Sequence, residues 1–334
     1  MKLKIRIGLI VFIGFLVNQC EKDTPVAITD DNFLNALIEQ GIDLNDDGQI
    51  NNDEAAAITL LRVDNRNIET LKGIEAFINL DTLICDWNKL TSLDLSGNSS
   101  LIYLNCSGNM LTSLNVTKNK ELDYLLCTHN SLTTLDLSGN PELKYLWCAY
   151  NSLTSLDVTN NPALINLYCD FNSLTSLDLS NSVKLNNLRC RNNSLTSLDV
   201  SKNPELIRLT CAYNSLSSLD ISNNKNLTYL WCAANTIKSL NLSNNSLLNR
   251  VDCSDNLLTS LDLKNNPVLL RLECGNNLLT TLDISANTEI EYLNIVSIPT
   301  LSMVCVWKIP FPPAWITVVT TGSPAVYFTT DCGI

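Results

Sequence analysis

The 334 residues carry a formal net charge of −12, are only 17% charged, and include a single histidine, His129. An acidic chain repels phosphate backbones, which argues against a nucleic-acid partner, and the charge becomes −15 once the N-terminal Lys2, Lys4 and Arg6 are removed. Length alone would allow about two or three ordinary domains, but a chain so rich in Leu, Asn, Ser and Thr must first be searched for an internal period.

At the N-terminus, Lys2, Lys4 and Arg6 precede an uncharged apolar run from Ile7 to Val17, the layout of a bacterial signal peptide. The run is shorter than the ~20 apolar residues a membrane-spanning helix needs. Cys20 follows, then Glu21-Lys22-Asp23. A cysteine at this point resembles the processing site of bacterial lipoproteins, where Cys20 would be lipidated and become the first mature residue. Asn18 and Gln19 replace the small residues usual before such a cysteine, and ordinary cleavage leaving a free Cys20 is the alternative. The charged stretch after it resembles the surface-export signal of Bacteroidetes lipoproteins. Residues 1–19 are read as the signal, and a lipid on Cys20 as the membrane attachment of an exported outer-membrane or cell-surface protein, with secretion as the alternative.

Residues 20–57 form a linker and a helical N-terminal cap. Phe33, Leu34, Leu37 and Ile38 have helical spacing behind Thr29-Asp30-Asp31, and Glu54-Ala55-Ala56-Ala57 opens a second helix. Between them, Asp43 to Glu54 fits a twelve-residue EF-hand loop. Side-chain oxygens fall at Asp43, Asn45, Asp47, Asn51 and Glu54, the Gln49 carbonyl adds a ligand, Gly48 makes the sharp turn and Ile50 is the expected apolar residue. The expectation is a structural calcium ion that fixes the cap over the first coil; a metal-free polar helix-loop-helix is the alternative.

Ten cysteines, from Cys85 to Cys274, follow at an unbroken spacing of 21. Around each runs L-x-x-L-x-C-x-x-N-x-L-T-S-L-D-L-S-x-N-P, nearly intact from Leu143 to Pro162. The pattern resembles the leucine-rich repeat, in which each turn of a horseshoe contributes one short strand. That resemblance implies an α/β repeat solenoid over 58–298 with a parallel sheet on its concave face. Leu104, Cys106 and Leu111, with their equivalents, point into a shared core, because no single turn can bury its own apolar face. Asn109 and Asn130 belong to a column that satisfies backbone groups where the chain leaves the strand. Asn98, Asn119, Asn140, Asn161 and Asn203 mark a second corner, broken only by Ser182.

The cysteine column reads as core. Parallel strands lie ~4.8 Å apart, but side chains of one column run side by side and give poor disulfide torsions. Neither a His partner nor a C-x-x-C pair is present for zinc. A cysteine column on this period resembles the cysteine-ladder branch of the internalin family, bacterial surface proteins used in adhesion. This chain departs from that family in lacking a C-terminal cell-wall sorting motif, for which an anchor at Cys20 would substitute.

Beyond Ile295 the period fails, and Val304, Val306, Trp315, Ile316, Val318, Val326, Tyr327 and Phe328, broken by Pro310, Pro312, Pro313 and Pro324, predict a β-rich C-terminal cap over 299–334. Cys305 and Cys332 stand outside the ladder. In an exported protein they are expected to pair, contributing roughly 3–4 kcal/mol by loop entropy; two free thiols are the alternative. No catalytic constellation emerges. The neighbours of His129 are repeat residues, as are Asp136, Asp157, Asp178 and Asp199, and no phosphate loop or zinc motif occurs, so an enzyme is not expected.

The positions flanking the inward strand residues are not set by the repeat. One column reads Tyr103, Tyr124, Tyr145, Asn166, Asn187, Arg208, Tyr229, Arg250, Arg271, and the next contains Trp147, Tyr168, Arg189 and Trp231, with Tyr150, Phe171 and Tyr213 beside them. Tyr, Trp and Arg dominate binding hot spots, so Tyr103, Tyr124, Tyr145, Trp147, Tyr168, Arg189, Arg208, Tyr229 and Trp231 are the candidate ligand residues. Stacked aromatics that only stabilise neighbouring strands are the alternative. The expected function is an exported binding protein of adhesin or receptor type that recognises a protein or glycan; a structural or assembly component of the cell envelope is the second reading.

Overall fold

A computed structural model describes residues 24–333; the signal segment and Cys20 lie outside the described residues. Each repeat makes one coil of a parallel-sheet solenoid and opens on a three-residue strand, such as Tyr145–Trp147, whose middle residue is buried while its neighbours face outward. Thirteen strands, from Leu60–Arg62 to Thr317–Val319, form one parallel sheet. Register advances by one period, Tyr124 beside Tyr145 and Leu126 beside Trp147, so residues 21 apart become neighbours in a column. This is the predicted horseshoe. Among the described residues its α-helices are confined to the cap, because a 21-residue coil closes by turns opposite its strand and leaves no length for a helix there.

Leu143, Leu146, Cys148, Leu153 and Val158 are all fully buried, and the same positions recur through the stack. Burying one leucine contributes roughly 1.5–3 kcal/mol, yet most of the apolar surface that covers it belongs to the coils above and below. The ten ladder cysteines are free and fully buried.

Two asparagine columns join coil to coil. In the strand-exit column Asn130 donates to the carbonyls of Cys106 at 3.0 Å and Cys127 at 3.2 Å and accepts from the Leu111 N–H at 3.0 Å. At the opposite corner Asn140 donates to Val116 at 2.9 Å and Asn119 at 2.8 Å, both one coil back. Each amide therefore satisfies buried backbone carbonyls in two places, which is why the sequence repeats it.

The cap consists of α1 (Asp31–Glu39) and α2 (Asn52–Ala56). Asp30 caps α1 through the Phe33 N–H at 3.0 Å and also accepts from Glu69 N–H at 2.7 Å, tying the cap to the first coil. Phe33 buries its ring 6.4 Å from that of Phe77 and closes the open end of the core.

At the other end the solenoid continues with longer coils. Thr317–Val319 joins the main sheet beside Tyr292–Asn294, while Met303–Cys305 and Tyr327–Thr329 join Thr281–Asp283 in a second parallel sheet. Tyr292 pairs with Thr317, a step of 25 residues, which hides the period from a search at 21. Ser323 stands where the strand-exit asparagine would: its hydroxyl accepts from Ile298 N–H at 2.8 Å and donates to the Ile295 carbonyl at 2.7 Å. Cys305 and Cys332 are disulfide-bonded, their Cα atoms 5.4 Å apart.

Candidate functional site

Because the register advances by one full period of 21 residues from strand to strand, the structure gathers all nine candidate ligand residues on the outward face of the main sheet. Their roles differ. Tyr103, Tyr124 and Tyr145 stack in sequence, the last two with ring centroids 4.2 Å apart and nearly parallel, so much of each ring face is spent on its neighbour. Trp147 is exposed and lies 5.2 Å from Tyr168. Trp231, four strands along, is half-buried and meets Tyr213 edge-on at 6.4 Å.

A second aromatic row follows the strand exits. The residue before each strand-exit asparagine adopts left-handed backbone, with φ near 54° at Trp87, His129, Tyr150 and Phe171. Such backbone costs a non-glycine residue of order 1–3 kcal/mol. Stacking offsets part of it: His129–Tyr150 and Tyr150–Phe171 both lie at 4.3 Å, each contact worth about 0.5–1.5 kcal/mol. Gly108 interrupts the column and makes room for the Trp87 indole, which reaches across it toward His129 at 5.9 Å. In the sequence His129 sits among repeat residues and Trp87 stands apart from the aromatic columns; the signal that joins them is their shared position one residue before the asparagine.

Charge on the face is concentrated in its C-terminal half. Asp170, buried on this side of the sheet, accepts from Arg189 Nε at 2.9 Å and from the Arg191 backbone N–H at 2.9 Å. The Arg191 guanidinium lies 5.2 Å from both the Phe171 and Trp231 rings, and its Nε lies 3.6 Å from Asp170 Oδ2, so two cation–π contacts and an ion pair hold it in place. A cleft of about 240 Å³ lies over these strands, lined by Tyr168, Asn187, Arg189, Arg191, Arg208, Thr210, Tyr229 and Trp231. An adjoining cleft of about 290 Å³ shares Tyr229 and Trp231 and is lined further by Arg250, Asp252, Arg271 and Glu273. Asp170 and Arg191 lie one step beyond the two outward strand columns, and Thr210 is a small residue within one of them, so the sequence pattern gives none of the three any prominence.

In the cap loop, Asp43 accepts from Asp47 N–H at 3.2 Å and Gly48 N–H at 2.8 Å. Glu54 accepts from Leu44 N–H at 2.8 Å and Asn51 N–H at 2.9 Å, and Asn51 returns a capping bond to Glu54 N–H at 3.0 Å. Asn45 and Asp47 are exposed on the loop, where Asp47 accepts from the Gln49 N–H at 2.8 Å. The oxygens of Asp43, Asp47 and Glu54 do not all come within 4.8 Å of one another. The donor chemistry suits a hard cation, and in this structure each Glu54 oxygen is already engaged by one backbone N–H.

The remaining chemistry is quiet. Desolvation pushes the thiols of Cys106, Cys211 and Cys274 up to about 12, and the other ladder thiols well above their ordinary range, so they stay protonated and unreactive. Hydrogen bonds from Ser138 hold the exposed Asp136 carboxyl below the usual carboxylate range, and the same turn recurs down that column. No helix among the described residues is long and apolar enough to cross a membrane.

A family model described as a leucine-rich repeat matches residues 128–143. No curated protein matches the chain in sequence. Among solved structures, the functional domain of InlJ from Listeria monocytogenes, which includes a cysteine ladder, is 34% identical, with 77% of this chain and 71% of that one covered and a TM-score of 0.50. InlF, an internalin of the same bacterium, is 17% identical, with 90% and 94% covered and a TM-score of 0.65. YopM, a leucine-rich effector protein from Yersinia pestis, is 22% identical, with 83% and 85% covered and a TM-score of 0.61. At those identities the last two speak to the fold alone.

Proposed function

The chain belongs to the cysteine-ladder branch of the internalin family of leucine-rich repeat proteins, and from that premise we propose that it is an exported, non-catalytic cell-surface protein that grips a protein or glycan with its concave strand face. One observation carries the reading. The coil holds its buried positions nearly constant, while the outward strand positions vary and collect exposed Trp147, Arg208 and Arg250 with half-buried Tyr168, Tyr229 and Trp231 on one continuous surface. Large aromatics and arginines concentrate binding energy in this way, and their uneven distribution along the face gives a partner something to read. A lipid on Cys20 would hold the solenoid at the outer surface, and a calcium ion in the Asp43–Glu54 loop would stiffen the cap beneath it.

The test immobilises the mature chain and captures ligands from the extracellular surroundings of intact cells. Trp147→Ala combined with Tyr168→Ala should abolish retention, whereas Thr154→Ala with Ser155→Ala, exposed on the turns away from the strand, should leave it unchanged. Retention lost only with the second pair puts the site on the wrong side of the horseshoe.

A further inference from the structure

Resting on the strand-face reading above, we propose that the cleft spanning strands Asn187–Arg189, Arg208–Thr210 and Tyr229–Trp231 binds an anionic oligosaccharide, seating a carboxylate or sulfate group against Arg191, Thr210 and Trp231.

Three observations converge there. The first is charge: Arg189, Arg191 and Arg208 line the cleft with no carboxylate among the lining residues, and only Asp170 behind them offsets the excess. This is a cationic patch in a chain of net charge −12. The second is unmet hydrogen bonding. Arg191 Nε, Thr210 Oγ1 and Trp231 Nε1 are buried without a hydrogen-bond partner, Asp170 Oδ2 standing 3.6 Å from Arg191 Nε as an ion pair beyond hydrogen-bond reach, and all three residues line this one cleft. Arginine and indole nitrogens can only donate, and a buried donor left unpaired costs about 1–3 kcal/mol. The missing partner is therefore an acceptor, best an anionic one, since bonds to charged oxygens are the stronger kind. Arg208 adds a cation free of ion pairs among the described residues, its guanidinium 5.9 Å from the Tyr229 ring.

The third observation is spacing. Neighbouring strands repeat every ~4.8 Å along the solenoid, about the length of one pyranose ring, so a linear glycan laid along that axis meets one coil per sugar. An extended peptide on the same path advances ~3.3 Å per residue and returns a side chain to the same face only every ~6.6 Å, out of step with the coils. The Tyr168, Tyr229 and Trp231 rings supply flat apolar surface for sugar faces. The adjoining cleft is the weaker competitor for an anion, because its Arg250 and Arg271 are matched by Asp252 and Glu273, with Arg271 tied to Glu273 at 2.8 Å.

Calorimetry on the mature chain, with oligogalacturonate, dextran sulfate, neutral dextran and polyglutamate as probes, tests this. At least one acidic glycan should bind with an affinity that falls as salt rises, and neutral dextran should not. Arg191→Gln should weaken that binding at least tenfold, and the exposed Arg208→Gln should do so without touching the buried network. Lys184→Gln, on the exposed turns, should change nothing, and equal loss there would reduce the effect to bulk charge and overturn the site. Polyglutamate binding as tightly as the glycans overturns the sugar in favour of an acidic peptide. Failure of every polyanion while retention of the natural ligand still depends on Trp147 and Tyr168 sinks this inference and leaves the strand-face reading intact; failure of both sinks both.

Discussion

Asn203 donates its amide to the Ser182 carbonyl at 2.8 Å, but the Ser182 hydroxyl, fully buried, has no partner of its own. In neighbouring coils the residue at this corner sends two hydrogen bonds back, as Asn161 does to Leu137 at 3.1 Å and Asn140 at 2.8 Å. The ladder is thus interrupted between Asn161 and Ser182. Ser182→Asn should restore both bonds, to Val158 and Asn161, and raise stability by about 1–2 kcal/mol, at roughly 1 kcal/mol per net hydrogen bond. A higher denaturant midpoint at unchanged slope confirms it; a lower midpoint means the corner has tightened around the serine.

Gly108 is the place where the strand-exit column cannot tolerate a side chain. Its φ is 63°, and a Cβ there would sit 2.6 Å from the Trp87 ring. Gly108→Ala should cost roughly 1–3 kcal/mol and displace the indole, shifting tryptophan emission to the red. Unchanged emission with unchanged stability would show that Trp87 does not lie over the glycine.

The thiol column makes the fold sensitive to alkali. Folded-state values of about 12 at Cys106, Cys211 and Cys274 stand above the ordinary 9.0 of an unfolded thiol. Below pH 9 thiols are protonated in both states and the stability is fully present. As pH rises from there toward 12, the unfolded chain releases protons that the folded core retains, and stability falls by up to ~1.4 kcal/mol per thiol per pH unit. Circular dichroism should show steep unfolding in that window, and Cys169→Val with Cys190→Val should make it shallower. The same steepness in the double variant would locate the titration elsewhere.

Calcium at ~10⁻⁴–10⁻³ M, the range of extracellular EF-hand loops, should slow amide exchange across the cap. Glu54→Gln should remove that response and loosen the cap even without calcium, since Glu54 holds Leu44 and Asn51 N–H groups. The distant coils should stay folded, each being supported mainly by its neighbours. A calorimetric titration of the wild type without heat at millimolar calcium ends the metal reading.

The coil was legible because Leu146, Cys148 and Asn151 are dictated by the same burial and the same hydrogen bonds every 21 residues, so repetition shows them without any knowledge of contacts. What escaped was whatever depends on neighbours across coils rather than on position within one. Arg191 acquires its role from Phe171 one coil before and Trp231 two coils after, and neither relation is visible in a single repeat. The C-terminal coils escaped for a different reason: Ser323 performs an asparagine's task with a hydroxyl, after an insertion that shifts it out of phase.

The Cys305–Cys332 bond also sets how the molecule answers to force. If an anchor at Cys20 held one end while a ligand or flow pulled on the other, an unbraced solenoid would peel coil by coil, each coil of 21 residues paying out about 70 Å of chain. With the bond in place, tension entering at the C-terminus passes directly to Cys305 and bypasses the residues between. Cys305 lies in the strand Met303–Cys305, paired on both sides within the second sheet, so pulling loads that strand before any coil can unwind. Under such a load the last turns would act as a mechanical clutch, and reduction of one bond would turn a stiff tether into a slowly lengthening one.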